Sequence, residues 1–291
     1  MPTKILPFQY VTALICLSLL AFSCKKEKSL DTDADPAQAR TLLNQAYGNG
    51  ARQRADVYLP ANRSSTTRVM VVLHGGSWIE GDKADINPYI PILQTSLPNT
   101  AIVNINYTLA NGVAENRHPR QMEDITTVLS WIDAQATTWQ VGNTRIMLGV
   151  SAGAHLAMLY AYAYSPSGRI KAVASLVGPT NFTDAFYINN PLFQNVALSY
   201  LGSTYATNPT LHQQASPALR VSATAPPTFM AYGAQDVLVP VSNATTLVNQ
   251  LTTFGIPHRY ELYPNEGHEF STAAATDALG KWRQFVEVHA P

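Results

Sequence analysis

The sequence predicts an α/β fold: a mostly parallel, doubly wound sheet with helices on both sides and one small helical insertion. Three observations lead there. Short, continuous apolar runs recur at 69–73, 101–105, 146–150, 172–177 and 228–232, as buried parallel strands do. Stretches with apolar residues at helical spacing separate many of these runs, and parallel strands need such crossovers. The run ending at Val150 passes straight through Gly149-Val150-Ser151-Ala152-Gly153 into a helical stretch reaching Tyr164.

The chain has 291 residues, 46% of them hydrophobic, enough for one large core. Only 13% are charged, about half the usual ~25%, so Thr, Asn, Ser and Gln must supply much of the polar surface. Formal net charge is zero and no basic stripe is present. This argues against a nucleic-acid binder, which needs Lys and Arg to displace counterions from phosphates.

From the N-terminus, Lys4 precedes a largely apolar stretch from Ile5 to Phe22, and Ser23-Cys24 follows. That is the order of a secretory signal, residues 1–23. Pro7 and Gln9 interrupt the run, so it makes a poor permanent membrane span. Leu20-Ala21-Phe22-Ser23-Cys24 resembles a bacterial lipobox, which implies that Cys24 carries lipid and opens the mature chain. The alternative is a plain signal cut nearby. Residues 24–44, with Lys25, Lys26 and Lys28 and then Asp31, Asp33 and Asp35, are too polar to fold alone and read as a tether. The folded domain is then 45–291, in an exported protein held to a membrane by lipid only. The only other cysteine, Cys16, lies in the leader, so no intramolecular disulfide is expected.

Within the domain, Arg54 to Leu59 reads as an antiparallel strand. Val69 to Leu73 is the first buried strand, and His74-Gly75-Gly76-Ser77-Trp78 follows it. Ala101 to Ile105 is the next. Met122, Ile125, Leu129 and Ile132 line one face of a helix. Ile146 to Val150 leads into the G-x-S-x-G turn, and Ala172 to Val177 is a further strand. Residues 181–224 break the rhythm with Phe182, Phe186, Tyr187, Phe193, Tyr200 and Tyr205. That length and composition predict a small helical insertion over the strand ends, whose aromatics form either its own core or a pocket wall. Thr228 to Tyr232 is a strand. Leu247, Leu251 and Phe254 mark a helix closed by Gly255 and Pro257. His258 to Tyr263 alternates like an edge strand, and Trp282, Phe285 and Val286 face a last helix.

Four of these places carry chemistry. In a tight strand-to-helix turn the residues two before and two after Ser151 must be small, and both are glycine. Ser151 is thereby exposed above a helix N-terminus and reads as a nucleophile. A serine needs a base, and the order in such folds is Ser, acid, His. Asp236 lies in the loop Gly233-Ala234-Gln235-Asp236 after a strand; Glu261 and Asp277 fall inside elements and are weaker candidates for the acid. His268, in Asn265-Glu266-Gly267-His268, is the expected base among the seven histidines. His155 reads as a buried packing residue and His74 as a loop organiser. Gly75 or Gly76, with the Ala152 amide, would receive an oxyanion. Ser77 and Trp78 stand beside them as candidate substrate contacts.

Together with Asp56-Val57-Tyr58-Leu59-Pro60, Gly81-Asp82-Lys83, Asn106-Tyr107 and Ala154-His155-Leu156-Ala157, these residues resemble α/β-hydrolases of the hormone-sensitive-lipase-like and acetyl- or feruloyl-esterase group. The match runs from about Tyr47 to the C-terminus. The resemblance implies the α/β-hydrolase fold, a Ser151–Asp236–His268 triad, ester hydrolysis through an acyl-enzyme, and no metal or cofactor. Ser77 stands where a third glycine is frequent, and Gln235 precedes the acid where a small or charged residue is common. The implied substrate is a small-molecule or oligosaccharide ester. Short acyl groups are expected to be favoured, because a small insertion cannot wall a deep tunnel. Rival readings are a general short-chain esterase, an amidase or exopeptidase of the same fold, and a non-catalytic binding protein.

Overall fold

The computed structural model describes residues 35–291; the signal segment, Cys24 and the first part of the expected tether lie outside them. Eight strands form one sheet: β1 (Arg40–Ala46), β2 (Arg54–Leu59), β3 (Arg68–Leu73), β4 (Thr100–Ile105), β5 (Arg145–Val150), β6 (Ile170–Leu176), β7 (Thr228–Gly233) and β8 (His258–Tyr263). Their order is β1-β2-β4-β3-β5-β6-β7-β8. β2 pairs antiparallel with β1 and β4, and every pairing from β4 to β8 is parallel. The chain therefore has the mostly parallel sheet that its apolar runs predict, with β8 at one edge.

The helices are α1 (Ile90–Ser96), α2 (Arg120–Trp139), α3 (Ala152–Leu159), α4 (Ala185–Ile188), α5 (Pro191–Leu201), α6 (Pro209–Gln214), α7 (Val241–Thr253) and α8 (Thr272–His289). They bury the sheet from both sides. Val69, Val71 and Leu73 of β3 face a core built with Met122, Ile125 and Leu129 of α2, Leu156 of α3 and Leu247 of α7. Met70 and Val72 face the opposite core, with Leu93 of α1 and Leu279, Trp282 and Phe285 of α8. Successive side chains on a strand point to opposite faces, so β3, wholly buried, is apolar at every position after Arg68. The Ala152–Tyr164 helical stretch is an α-helix to Leu159 and a single π-helical turn from Tyr160 to Tyr164.

One boundary differs from expectation. The fold begins at β1, inside the segment read as tether to residue 44. β1 is a half-exposed edge strand with only Leu42, Leu43 and Ala46 for apolar content, and Leu43 points to solvent. Backbone pairing with β2 holds it (Arg40 opposite Leu59, Leu42 opposite Val57), so hydropathy gives little sign of it. The Asn44 amide also donates to the Asp56 carboxylate.

The insertion consists of α4, α5 and α6, with α5 and α6 each started by an Asn cap and a Pro at the first helical position. Parallel register aligns Leu73 with Ile105 and with Gly149, and Val150 with Leu176. The loops leaving β3, β5, β7 and β8 consequently emerge at one edge of the sheet, the usual place for a site in open α/β sheets.

Candidate active site

Ser151 sits at φ 52° and ψ −120° between β5 and α3. This sparsely populated conformation is held because the chain crosses itself closely there. A Cβ on Gly149 would run into the backbone of Gly153, and one on Gly153 would run into the carbonyls of Leu73 and His74. The Ser151 amide donates to the Leu176 carbonyl at 2.8 Å, anchoring the turn to β6.

The three residues chosen from sequence meet. His268 Nε2 lies 2.9 Å from Ser151 Oγ, and His268 Nδ1 lies 2.8 Å from Asp236 Oδ2. The Asp236 side chain is buried, and its other oxygen accepts from the amides of Leu238 (2.8 Å) and Val239 (2.9 Å). With three donors around it the side chain is held in place, and it selects the His268 tautomer with hydrogen on Nδ1. Nε2 then faces Ser151 as an acceptor. The loops carrying Asp236 and His268 are joined by Gln235 N to Glu266 O and Ala234 N to Tyr263 O, both 2.9 Å. The alternative acids are engaged elsewhere: Glu261 with Arg259 and Lys281, and Asp277 with Tyr263 and Lys281.

The loop after β3 passes against the serine. A Cβ at Gly75 would lie 3.3 Å from Ser151 Cβ. Gly76 has φ +106°, and Ser77 and Trp78 follow with φ 51° and 64°, so this short stretch leaves the extended conformation of β3. The amides of Gly76, Ser77 and Ala152 donate to no protein acceptor among the described residues. They are therefore free to receive negative charge, the Ala152 amide with the help of the α3 dipole.

A polar frame holds that loop. Lys83 Nζ pairs with Asp56 at 2.7 Å, and Asn106 accepts from the Lys83 amide and donates to Asp82, both at 2.6 Å. The Tyr107 ring stacks on His74, 4.4 Å between centroids, and its hydroxyl donates to the His74 carbonyl at 3.0 Å. His74 is fully buried, and burial pushes its pKa down to about 4, so the imidazole is neutral and braces the loop. Arg52 donates to the carbonyls of Tyr107 (3.0 Å) and Gly81 (2.8 Å). No sequence signal marked Arg52, which lies in a turn before β2.

His155 is a second brace. Trp78 Nε1 donates to His155 Nδ1 at 3.1 Å, and His155 Nε2 donates to the Ala215 carbonyl at 2.7 Å. Burial lowers the His155 pKa to about 3, and the Trp78 N–H opposes a proton on Nδ1. One neutral ring so ties the β3 loop, α3 and the insertion together. Its face stacks on Phe182 at 4.7 Å, and Trp78 stacks on Tyr200 at 4.9 Å.

A cavity of about 250 Å³ opens beside Ser151 and His268. Trp78 and Ser77 line it, with Tyr187, Leu192, Phe193 and Val196 from the insertion. The insertion's aromatics thus take both roles left open by the sequence: Phe182 and Tyr200 are core, while Tyr187 and Phe193 are core and wall. Trp78 forms part of the wall although only 3% exposed. Among the described residues no cluster of His, Cys, Asp and Glu could hold a metal ion, and no helix is long and apolar enough to cross a membrane.

Comparison with known proteins places this geometry. Esterase LipC of Mycobacterium tuberculosis is 26% identical over 241 residues, covering 77% of this chain and 58% of its own length. The chain spans a little over half the length of this and two further curated relatives. Two solved structures share the fold. A bifunctional GH43-CE protein of Bacteroides eggerthii has a TM-score of 0.74 at 19% identity, over 88% of this chain and 38% of that one. A truncated carbohydrate esterase from gut microbiota has a TM-score of 0.70 at 18% identity, over 86% of this chain and 99% of that one. The BD-FAE family model matches residues 55–251, from β2 into α7. With that match spanning most of the sheet, the Ser151 turn and the Asp236 loop, the chain belongs to the BD-FAE family and has the α/β-hydrolase fold.

Proposed function

We propose that this protein is a serine carboxylic-ester hydrolase working through an acyl-enzyme, on acetyl or feruloyl esters of carbohydrates. The observation that carries the reading is the unbroken relay Ser151 Oγ–His268–Asp236, with contacts of 2.9 and 2.8 Å, at the foot of a cavity. The chemistry of that relay supports a serine mechanism. Ser151 Oγ attacks the ester carbonyl while His268 Nε2 takes its proton. Buried Asp236 orients the ring and stabilises the imidazolium that forms. Amides of the Gly75–Gly76 loop and of Ala152 receive the carbonyl oxygen as it gains charge. His268 then gives its proton to the leaving alcohol, and the acyl group stays on Ser151. Water attacks the acyl-enzyme with His268 as base; the acid departs and Ser151 regains its proton.

A carbohydrate as the alcohol is supported by two fold relatives described as a carbohydrate esterase and a GH43-CE protein, and by a surface poor in charge. Fold kinship is weak ground for a substrate. The test is direct: acetate or ferulate release from acetylated xylan and feruloylated oligosaccharides, beside p-nitrophenyl acetate. Release from the glycans by the wild type and not by Ser151→Ala supports the reading. Turnover of p-nitrophenyl acetate without any release from glycans would remove the carbohydrate part. Export and lipid attachment at Cys24 belong to the same proposal and rest on the leader's residues alone.

A further inference from the structure

Ser151 and His268 also line a second cavity of about 500 Å³, twice the volume of the first. It opens on the side away from the insertion. Its inner wall is cut into the other core, with Ile86, Leu93, Leu148, Val150, Leu279 and Phe270. These residues come from the segment before α1, from α1 itself, from β5 and from α8 and its approach. No residue of 181–224 contributes. Insertion size therefore sets no limit on this space, and the expectation of short acyl groups on that ground does not hold.

The charges around this cavity have one sign. Glu80, Asp85 and Glu269 line it, and apart from His268 no basic residue does. Lys and Arg are likewise missing from the smaller cavity's wall. An anionic substituent would meet carboxylates beside apolar walls, with no cation to compensate its desolvation.

Resting on the reading of Ser151 as an ester-cleaving nucleophile, we propose that the larger cavity is the subsite for a bulky, apolar, uncharged arm of the ester. The arm is either the acyl chain or the alcohol, since Ser151 and His268 border the cavity in either case. Each methylene moved into such a space should raise kcat/KM about fourfold until the space is full. Acetyl groups alone would leave it empty unless the alcohol enters. For the carbohydrate reading, this favours an aromatic acyl group of feruloyl size over acetyl.

The test uses two neutral series on the full-length protein: p-nitrophenyl esters from acetate to octanoate, and alkyl acetates from methyl to octyl. Ala275, 5% exposed on α8, faces this cavity, and Ala275→Trp fills it. Leu279→Phe is a smaller change in the same wall. The expected result is a rise of at least about tenfold in kcat/KM along one series. Ala275→Trp should flatten that rise, and Leu279→Phe should move its maximum to a shorter chain. A rise in the p-nitrophenyl series identifies the arm as acyl, and one in the alkyl acetates identifies it as alcohol. The mono-p-nitrophenyl ester of octanedioic acid should be at least about tenfold slower than the octanoate. The proposal is overturned if neither series rises, if the rise survives both substitutions, or if the carboxylate analogue matches the octanoate. These failures leave p-nitrophenyl acetate turnover intact. Absence of turnover on every ester would instead overturn the hydrolase reading beneath it.

Discussion

Replacing Asp236 by Asn keeps size and shape but turns an acceptor into a donor and removes the negative charge that stabilises the imidazolium. Asp236 Oδ1 accepts from the amides of Leu238 and Val239 at 2.8 and 2.9 Å, and Oδ2 faces His268 Nδ1 at 2.8 Å. In the variant the amide oxygen must stay with the two backbone donors, because an NH2 group there would meet two N–H groups head-on. The NH2 group is left facing His268 and requires an acceptor at Nδ1. The ring hydrogen then moves to Nε2, which points at Ser151 Oγ, and the base can no longer take the serine proton. The same inversion in a serine protease costs about four orders of magnitude. The prediction for Asp236→Asn is a fall in kcat of roughly three to four orders, about 4 to 5 kcal/mol of barrier. Only one buried contact changes character, so unfolding by urea should remain cooperative. The assay is p-nitrophenyl acetate hydrolysis with the uncatalysed rate subtracted and circular dichroism as the fold control. A loss of less than about tenfold would refute the tautomer argument and send the search for the acid elsewhere.

Three further outcomes are expected. His74 and His155 are buried as neutral rings, with pKa values lowered from 6.5 to about 4 and about 3. Between pH 6.5 and those values the unfolded chain binds protons that the folded one refuses, so stability falls as pH falls. At pH 5 each ring should have removed about 2 kcal/mol relative to its contribution above pH 6.5. Urea midpoints from pH 7 to pH 5 check this, and a slope unchanged by His155→Phe would contradict it. Gly153→Ala drives a methyl into the carbonyls of Leu73 and His74 and should lower unfolding free energy by about 1–3 kcal/mol; an unchanged urea midpoint would show that the turn has room. Cys24→Ser should release active enzyme from the membrane fraction, whereas retention there would end the lipid-anchor proposal.

The meeting of Ser151, Asp236 and His268 was legible because these residues stand in motifs that local geometry demands. Gly149 and Gly153 are needed wherever a strand turns so sharply into a helix, and Asp236 and His268 each follow a strand that apolar content makes obvious. Strand β1 was not legible, since an edge strand is held by its backbone and Leu43 faces water. Arg52 left no trace because its role is to bind the carbonyls of Tyr107 and Gly81, which any distant cation could do once the chain has folded. His155 was correctly read as a packed histidine, but its partners Trp78 and Ala215 are 77 and 60 residues away. The larger cavity was hidden most deeply. Its inner wall includes Leu93, Leu148 and Leu279, ordinary core residues by pattern, and a void between packed elements has no sequence signature.

The central claim is that Ser151 is the nucleophile, activated by His268. Its most direct measurement is covalent: treat wild-type protein and Ser151→Ala with a fluorophosphonate and locate the adduct by peptide mass spectrometry. The predicted result is stoichiometric phosphonylation of Ser151 in the wild type, with esterase turnover lost in step. Ser151→Ala should stay folded, take up no label and hydrolyse p-nitrophenyl acetate at least about a thousandfold more slowly. Label on another residue, or near-wild-type turnover by Ser151→Ala, would contradict the account.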